Sequence, residues 1–296
     1  CPINEPFVAR VLSTPPDDPD VATFRRGILE ELSASAALLA SLHELYAALR
    51  RLIHCFDHTG RMSRYEQTRH RIDTLTLLRD VVSLCHSAFE DCGSGLKRIA
   101  DFATEVIESD GHGRLVELLD YEDELAKVDV RMQVGADGRV RRFSIVHINE
   151  NESNRFYESP VGRVLTKFLL WLRGYRFTND ELVDRWLDHV FEAVSHFIPP
   201  LVQLHSHIEV HLAMCSFRDL CRTKGLATCL PELTTGGGRS LTGLFNPLLF
   251  RQGVVPTPCT IDSAEFEPIR IITGPNSGGK TRLLQAIGLT QLLAQG

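Results

Sequence analysis

The sequence has 296 residues, more than one small domain usually contains, so two structural units are expected. Hydrophobic residues make up 43% and charged residues 24%, a soluble globular composition, and no run approaches the roughly 20 apolar residues that span a bilayer, so no membrane partner is expected. The formal net charge of −6 argues against a protein that coats nucleic acid with its whole surface, so any nucleic-acid contact should be local.

The eight cysteines form no Cys-x-x-Cys pair and follow no signal peptide. Neither a zinc ribbon nor a disulfide scaffold is therefore predicted, and a reducing, cytoplasmic location is expected. The sequence starts at Cys1 and stops at Gly296 within a helical pattern. We expect it to be an internal piece of a longer protein.

Long helices are predicted for the first part of the chain. Prolines keep about the first 18 residues extended, and helical periodicity then covers residues 20–54, about 64–90 and a third stretch from about residue 96. In the first of these helices, leucines spaced four and three apart form one stripe that requires a partner helix: Leu38, Leu42, Leu45, Leu49 and Leu52.

A two-residue alternation of apolar and polar side chains replaces the helical period at residues 128–134. A GADG turn at 135–138 and a second strand over about 139–148 complete a predicted β-hairpin. Basic residues gather at one end of the hairpin and continue at helical spacing beyond it: Arg131, Arg139, Arg141, Arg142, Arg163, Lys167 and Arg173.

Helical pattern resumes near residue 161, and a capping box, TNDE at residues 178–181, opens a further helix. Prolines at 199 and 200 interrupt it, and a last long helix ends at Lys224 and Gly225, a cation and a glycine that suit a helix C-terminus. The residues predicted to be buried by the capped helix are Leu182, Trp186, Val190 and Val194.

A glycine-rich loop carries the clearest chemical signal. Residues 274–281, GPNSGGKT, match the phosphate-binding pattern G-x-x-x-x-G-K-[ST], with a predicted apolar strand at 269–272 before them and the amphipathic pattern LLQAIGLTQLLAQ after them. Backbone N–H groups freed by the glycines would curl around a polyphosphate at the positive end of that helix. The predicted nucleotide-binding set is Gly274, Pro275, Asn276, Ser277, Gly278, Gly279, Lys280 and Thr281.

Two residues of this loop have specific expected roles. Lys280 would reach the outer phosphates, and the hydroxyl of Thr281 suits a nucleotide-bound Mg²⁺, so these two are the predicted catalytic pair and Thr281 the metal ligand. ATP with Mg²⁺ is the expected cofactor.

The segment TGPNSGGKT and its helix resemble the Walker A region of the MutS family, the ATPases of DNA mismatch repair and their relatives. Adjacent Gly278 and Gly279 separate it from related SMC-type ATPases, which typically continue Gly-Ser-Gly-Lys-Ser. With Thr281 at its end, the loop is more similar to that of the short MutS relatives that lack the mismatch-recognition domain. Upstream, Leu244-Phe245-Asn246-Pro247 is similar to the His-Pro or Asn-Pro entry of MutS ATPase domains.

The resemblance implies a mostly α fold. Residues 1–228 would form a long-helix core and lever domain with the hairpin at about 128–148 as a possible clamp, and residues 229–296 the N-terminal part of a P-loop α/β ATPase domain of the ABC type. It also implies a homodimer with ATP between the protomers. A Walker B carboxylate pair is expected after Gly296, so the intact protein would be an ATPase and this piece alone inactive.

The same resemblance implies a partner for the hairpin, namely double-stranded or branched DNA. Arg139, Arg141 and Arg142 would contact its phosphates without reading sequence. Ordinary surface arginines are the alternative interpretation.

Two further patterns are weak. Phe156-Tyr157-Glu158 spells the Phe-x-Glu of mismatch recognition, but about one such match is expected by chance and a loop aromatic is the default. His207 and His211 share a helical face, yet the Glu of H-E-x-x-H is missing, which favours packed or solvated histidines over a metal site.

The combined hypothesis is a MutS-like, nucleoid-associated protein in which ATP binding closes a dimer and lever helices pass that closure to a clamp around DNA. The alternative is a scaffold module that uses ATP for assembly on a ribosome or another protein. The acidic net charge keeps this alternative open.

Overall fold

A computed structural model describes residues 4–14, 16, 18–57, 64–124, 126–134, 140–150, 179–232, 238–263, 271–275 and 278–295. Over these residues the chain is mostly helical, with two separate antiparallel sheets of two strands each. The mostly helical class predicted from the sequence is thus confirmed. The α/β ATPase part stays a prediction.

The described helices are α1 Glu5–Ser13, α2 Pro19–Ala34, α3 Ala36–Asp57, α4 Arg64–Phe89, α5 Lys97–Glu108, α6 Asp110–Glu124, α7 Asn179–Val194, α8 Ile198–Thr223 and α9 Lys280–Gln295. Short 3-10 helices cover Ser195–Phe197 and Pro247–Gln252. The described strands are β1 Ala126–Val134, β2 Val140–Glu150, β3 Arg239–Leu244 and β4 Cys259–Ser263.

Contacts divide the chain into two compact units built from interleaved segments. The first unit comprises Cys1–Arg50, Ser87–Asp101 and Val202–Gly296, and the second comprises Arg51–His86 and Phe102–Leu201. This division by contact differs in kind from the sequence division at residues 228 and 229, which rests on composition. The sequence division stays a prediction.

The long helix predicted over residues 20–54 is wrong at one point, because the chain breaks at Ser35. Ser35 has an extended backbone, φ −127° and ψ 106°, and its N–H donates to the Glu31 carbonyl. Its hydroxyl accepts from the Leu38 N–H at 3.2 Å, so one serine ends α2 and caps α3. The chain bends by 112° between the two helices.

The leucine stripe of α3 is nevertheless confirmed as core from Leu42 onward, whereas Leu38 is only half-buried. Leu42, Leu45 and Leu49 are completely buried, and Leu52 is 1% exposed. Burial of leucines at this spacing is the main local source of helix stability, because propensity alone seldom holds a helix in water.

The extended start predicted for the first 18 residues is also wrong, because α1 forms there. Asn4 caps it, with its Oδ1 accepting from the Phe7 N–H at 3.3 Å. The Asn4 N–H donates to both carboxylate oxygens of buried Glu209 on α8, at 3.3 and 3.2 Å. This contact between residues 205 positions apart is not visible in a local pattern.

A second carboxylate fixes the connection between α4 and α5 inside the first unit. Glu31 on α2 accepts from the backbone N–H groups of Gly93, at 2.8 Å, and Ser94, at 3.1 Å. Burial alone would raise the pKa of Glu31, but the hydrogen bonds from Ser94 and Gly93 outweigh it, and the pKa lies below its usual value. The carboxylate therefore fixes the backbone of this connection.

In the second unit, α7 packs against α6 and is tied to α4. Arg71 donates to Asp188 at 2.6 Å and lies over the Phe191 ring, 5.1 Å from its centroid. Val190 and Val194 are buried as predicted, whereas Trp186 is only half-buried. Residues 178 and 182 of the predicted capped helix are not covered: Thr178 lies outside the described residues, and so does the side chain of Leu182.

The predicted hairpin is confirmed, with β1 and β2 antiparallel from Ala126 opposite Glu150 to Val134 opposite Val140. The register shifts twice, between Asp129 and Val130 and again beside Val134. The predicted turn at 135–138 lies outside the described residues.

No single helix in the described ranges is long and apolar enough to cross a membrane, although α2 and α3 together meet that test by length and composition alone.

Candidate nucleotide-binding loop

The glycine-rich loop ends where α9 begins, at Lys280. Gly279 has a φ of 76°, in the left-handed region that glycine adopts without steric cost, and its carbonyl accepts from the Leu283 N–H at 2.9 Å. The chain thus turns sharply from the loop into the helix. N–H groups in the first turn of a helix have no partner within it and carry partial positive charge, so this end of α9 suits an anion.

The side chain of Lys280 folds back over the start of the loop. Its Nζ donates to the carbonyl oxygens of Gly274 and Pro275, each at 2.6 Å. The Pro275 carbonyl also accepts from the Gly278 N–H at 3.0 Å, which closes a turn. The structure therefore brings Gly274 and Pro275 together around the Lys280 ammonium, and Gly278 closes the turn beside them.

Gly278 has a steric reason to lack a side chain. A Cβ at this position would lie 3.1 Å from the Pro275 carbonyl oxygen and 3.4 Å from two carbons of the proline ring. The adjacent glycines at 278 and 279 thus serve different purposes, the first a close approach and the second a left-handed turn. The side chain of Thr281 is exposed in the first turn of α9, and Asn276 and Ser277 lie outside the described residues.

The apolar strand predicted before the loop is not formed where the structure describes it. Residues 271–275 have no strand hydrogen bonding, and Ile271 is 85% exposed. A strand needs a paired neighbour, and the described strands pair only as β1 with β2 and β3 with β4. Residues 269 and 270 lie outside the described part of the chain.

Asn246 joins a distant segment to α9, which the sequence did not reveal. It caps the 3-10 helix at Pro247–Gln252, with its Oδ1 accepting from the Leu248 N–H at 3.0 Å. Its Nδ2 donates to the Arg282 carbonyl at 3.0 Å and to Gln285 Oε1 at 3.2 Å. An Asn-Pro pair is typical of a helix start and could have indicated the cap, which the sequence analysis did not predict. No local pattern indicates the link to Gln285, 39 residues away.

The arginines predicted to contact DNA are placed only in part. Arg142 lies opposite Gln133 in the hairpin, and Arg141 falls at the register shift beside Val134. Arg139 lies outside the described residues, as do Arg163, Lys167 and Arg173. Their contact with DNA stays a prediction.

The histidines of α8 pack against other side chains. The Phe7 ring meets His207 edge-on with ring centroids 5.1 Å apart, and the Tyr46 ring stacks on His205 at 4.6 Å. Burial, followed by the charges of Arg25 and Arg10, lowers the pKa of His207. No group of three metal-binding side chains lies together among the described residues. Phe156, Tyr157 and Glu158 lie outside them.

Curated proteins match parts of the chain, although no protein-family model matches it. The DNA mismatch repair protein MSH2 of Arabidopsis thaliana is 32% identical over 156 residues, which are 51% of this chain and 16% of that protein. The DNA mismatch repair protein MutS of Synechococcus sp. (strain CC9902) is 35% identical over 141 residues, 40% of this chain and 15% of that protein. The endonuclease MutS2 of Staphylococcus carnosus (strain TM300) is 46% identical over 65 residues, 22% of this chain and 8% of that protein.

These relatives agree on one family although they differ in their names and organisms. Their moderate identities support membership of the MutS family over the part of the chain that they match. It spans less than a fifth of the length of each of the three relatives described. Their matches come from both the mismatch repair and the MutS2 groups, so the resemblance to the short relatives stays a prediction.

Proposed function

We propose that the chain binds ATP with Mg²⁺ at residues 274–281 and belongs to a DNA-binding ATPase whose hold on DNA changes with the nucleotide. The observation that supports it is the position of Lys280, whose ammonium lies between the carbonyl oxygens of Gly274 and Pro275 at the N-terminus of α9. An ammonium, a glycine turn and a helix N-terminus converge on one small volume. That combination favours a polyphosphate.

The residues present fit Mg²⁺-bound ATP. A bound phosphate would compete with the two carbonyl oxygens for the Lys280 ammonium, and the first-turn N–H groups of α9 would donate to phosphate oxygens. Thr281, exposed in the same turn, would offer its hydroxyl to the metal. When bound, the nucleotide would supply a binding free energy that differs between conformations of the protein.

DNA is the proposed partner because several relatives are named DNA mismatch repair proteins. The hairpin residues Arg139, Arg141 and Arg142 would contact phosphates of double-stranded or branched DNA. A homodimer, ATP hydrolysis by the intact protein and a nucleoid-associated cytoplasmic location complete the proposal.

The first part of the test is nucleotide binding by the intact protein, measured by titration calorimetry with Mg²⁺ and ATP. Lys280→Ala removes the ammonium from the loop and should weaken ATP binding about 10- to 100-fold, the size expected for charge-assisted hydrogen bonds. Lys224→Ala, which removes an exposed lysine just after α8, is the matched control and should bind as the wild type does. Equal affinities in all three proteins would contradict the proposed site.

The second part is DNA binding with and without ATP, using mismatched, perfectly paired and branched duplexes at several salt concentrations. Wild type should bind one of these DNA forms with a salt-dependent affinity, and ATP should alter that affinity. In the Lys280→Ala variant, ATP should leave the DNA affinity unaltered. Replacing Arg141 and Arg142 together by alanine should reduce the slope of log affinity against log salt concentration by the amount expected for about two phosphate contacts. Arg114→Ala on α6 is the control. Absence of DNA binding in every state would favour the ATP-dependent scaffold instead.

A further inference from the structure

The side chain of Asn246 connects the 3-10 helix at Pro247–Gln252 to the first two turns of α9. We propose that Asn246 is a positioning residue for the nucleotide site, which it affects through α9 without touching the nucleotide. This inference rests on the proposed function. It goes beyond it by assigning a role to a residue 28 positions before the loop.

The Asn246 side chain forms three of the four hydrogen bonds open to an amide, and both of its donors are used. Its Oδ1 accepts from the Leu248 N–H, and the two N–H groups of Nδ2 account for the bonds to the Arg282 carbonyl and Gln285 Oε1. The residue is only 4% exposed, so water cannot replace a lost partner. A buried amide with three partners holds one orientation.

The acceptor on α9 is held as well. Gln285 Oε1 receives a second hydrogen bond, from Arg282 Nη1 at 3.1 Å, so two donors fix which end of the Gln285 amide faces Asn246. Asn246 thus bonds both to the backbone of α9 and to a side chain one turn further along. Two anchor points on a helix restrict its rotation as well as its distance.

The anchored backbone group lies close to the phosphate-binding end of α9. Arg282 is the third residue of the helix and comes directly after Lys280 and Thr281, whose N–H groups and side chains form the proposed site. A helix N-terminus acts on a phosphate only if its N–H groups point at it, and misplacement of binding groups by about 1 Å is costly. Asn246 therefore sets the direction in which α9 presents its first turn.

The decisive variant is Asn246→Asp in the intact protein, which keeps the shape and the capping oxygen. It replaces both N–H donors with an oxygen that faces the Arg282 carbonyl and Gln285 Oε1. We expect binding of Mg²⁺-bound ATP to weaken about tenfold, the size expected for loss of buried hydrogen bonds. Ser240→Ala on β3, which removes the bond to Asp262 in the same part of the chain, is the matched control and should bind ATP as wild type does.

A rescue separates positioning from general damage to the fold. Adding Gln285→Lys to Asn246→Asp places an ammonium where the amide oxygen was and restores a donor–acceptor bond between the two positions. The double variant should recover most of the lost ATP affinity, whereas Gln285→Lys alone should weaken binding.

The outcomes are distinguishable. ATP affinity unchanged by Asn246→Asp but lost in Lys280→Ala would overturn the positioning role and leave the nucleotide site intact. Weakened binding that Gln285→Lys does not restore would also overturn it, because the effect would then be general destabilisation. A wild-type protein that binds no ATP would overturn both this inference and the proposed function.

Discussion

Helices α3 and α9 are both rich in leucine, yet they use their leucines differently. In α3 the leucines at 42, 45 and 49 are completely buried. In α9 the first buried side chain is Ala286, and Leu284 is 59% exposed. The apolar residues of α3 recur on one stripe, whereas those of α9 occur all around the helix, so the amphipathic pattern predicted for α9 is wrong.

The difference shows that burial and chemistry are specified by different means. Helix α3 is defined by what its stripe packs against, and it carries no proposed functional group. Helix α9 is defined by its two ends and anchors: Gly279 at its start, Lys280 folded over the loop, and Asn246 bonded to its first turns. Helix α3 therefore contributes to stability through burial, whereas the proposed function depends on α9, a helix with little burial.

The same substitution in the two helices tests this contrast most strongly. Leu45→Ala leaves a cavity in a closed environment and should lower the free energy of unfolding by about 2–5 kcal/mol. Leu284→Ala removes an exposed side chain and should change it by less than about 0.5 kcal/mol. Urea denaturation followed by circular dichroism measures both, and a similar loss in the two variants would mean that Leu284 is buried in solution.

Glycine replacements extend the contrast between closely packed and open positions to the connection between α4 and α5, where the expected effects are smaller. A Cβ at Gly95 would lie 2.3 Å from two atoms of the Phe24 ring, which Arg98 covers on one face at 4.5 Å. Gly95→Ala should therefore cost about 1–3 kcal/mol through overpacking. In α9, a Cβ at Gly288 would meet nothing within 4 Å, and Gly288→Ala should stabilise the helix by about 0.5–1 kcal/mol.

Thermal and urea unfolding of the two glycine variants, side by side with wild type, provide the measurement. Opposite signs are expected. A stabilising Gly95→Ala would show that the Phe24 ring moves aside at no cost, and the packing around α2 would then be looser than the structure indicates.

Local signals in the sequence predicted the features that depend on neighbouring residues. The leucine stripe and the hairpin follow from periodicity and turn chemistry over a few positions. The phosphate-binding role of residues 274–281 rests on the same kind of local signal and stays a prediction. The break at Ser35 was missed because serine neither forbids helix nor signals a turn as glycine and proline do; only its capping hydrogen bonds reveal it.

Long-range contacts could not be predicted from one sequence. The hydrogen bonds from Asn4 to Glu209 and from Asn246 to Gln285 join residues that share no local pattern. The strand predicted before the loop was wrong at residues 271 and 272 for a related reason: a strand exists only with a partner, which no short apolar run can specify. Loop chemistry is therefore the readable part of the candidate site, and its anchoring to the rest of the chain is not.

Acidification should lower the free energy of unfolding through His211 on α8. Burial lowers the pKa of His211 to about 4, with His207 and Arg25 adding to the effect. An unfolded histidine titrates at about pH 6.5, so the unfolded state gains its proton first as the pH falls. The free energy of unfolding should therefore be fully maintained above about pH 6.5, decline down to about pH 4 and level off below.

His211→Gln removes the titrating imidazole and should make the decline between pH 7 and pH 5 shallower, as measured by urea midpoints at each pH. Some decline should remain, because burial also lowers the pKa of His205 and His207. His189→Gln, at an exposed position on α7, is the control and should decline as steeply as wild type. Identical declines in His211→Gln and wild type would show that His211 is solvated, and the packing of α8 around it would then be looser than the structure indicates.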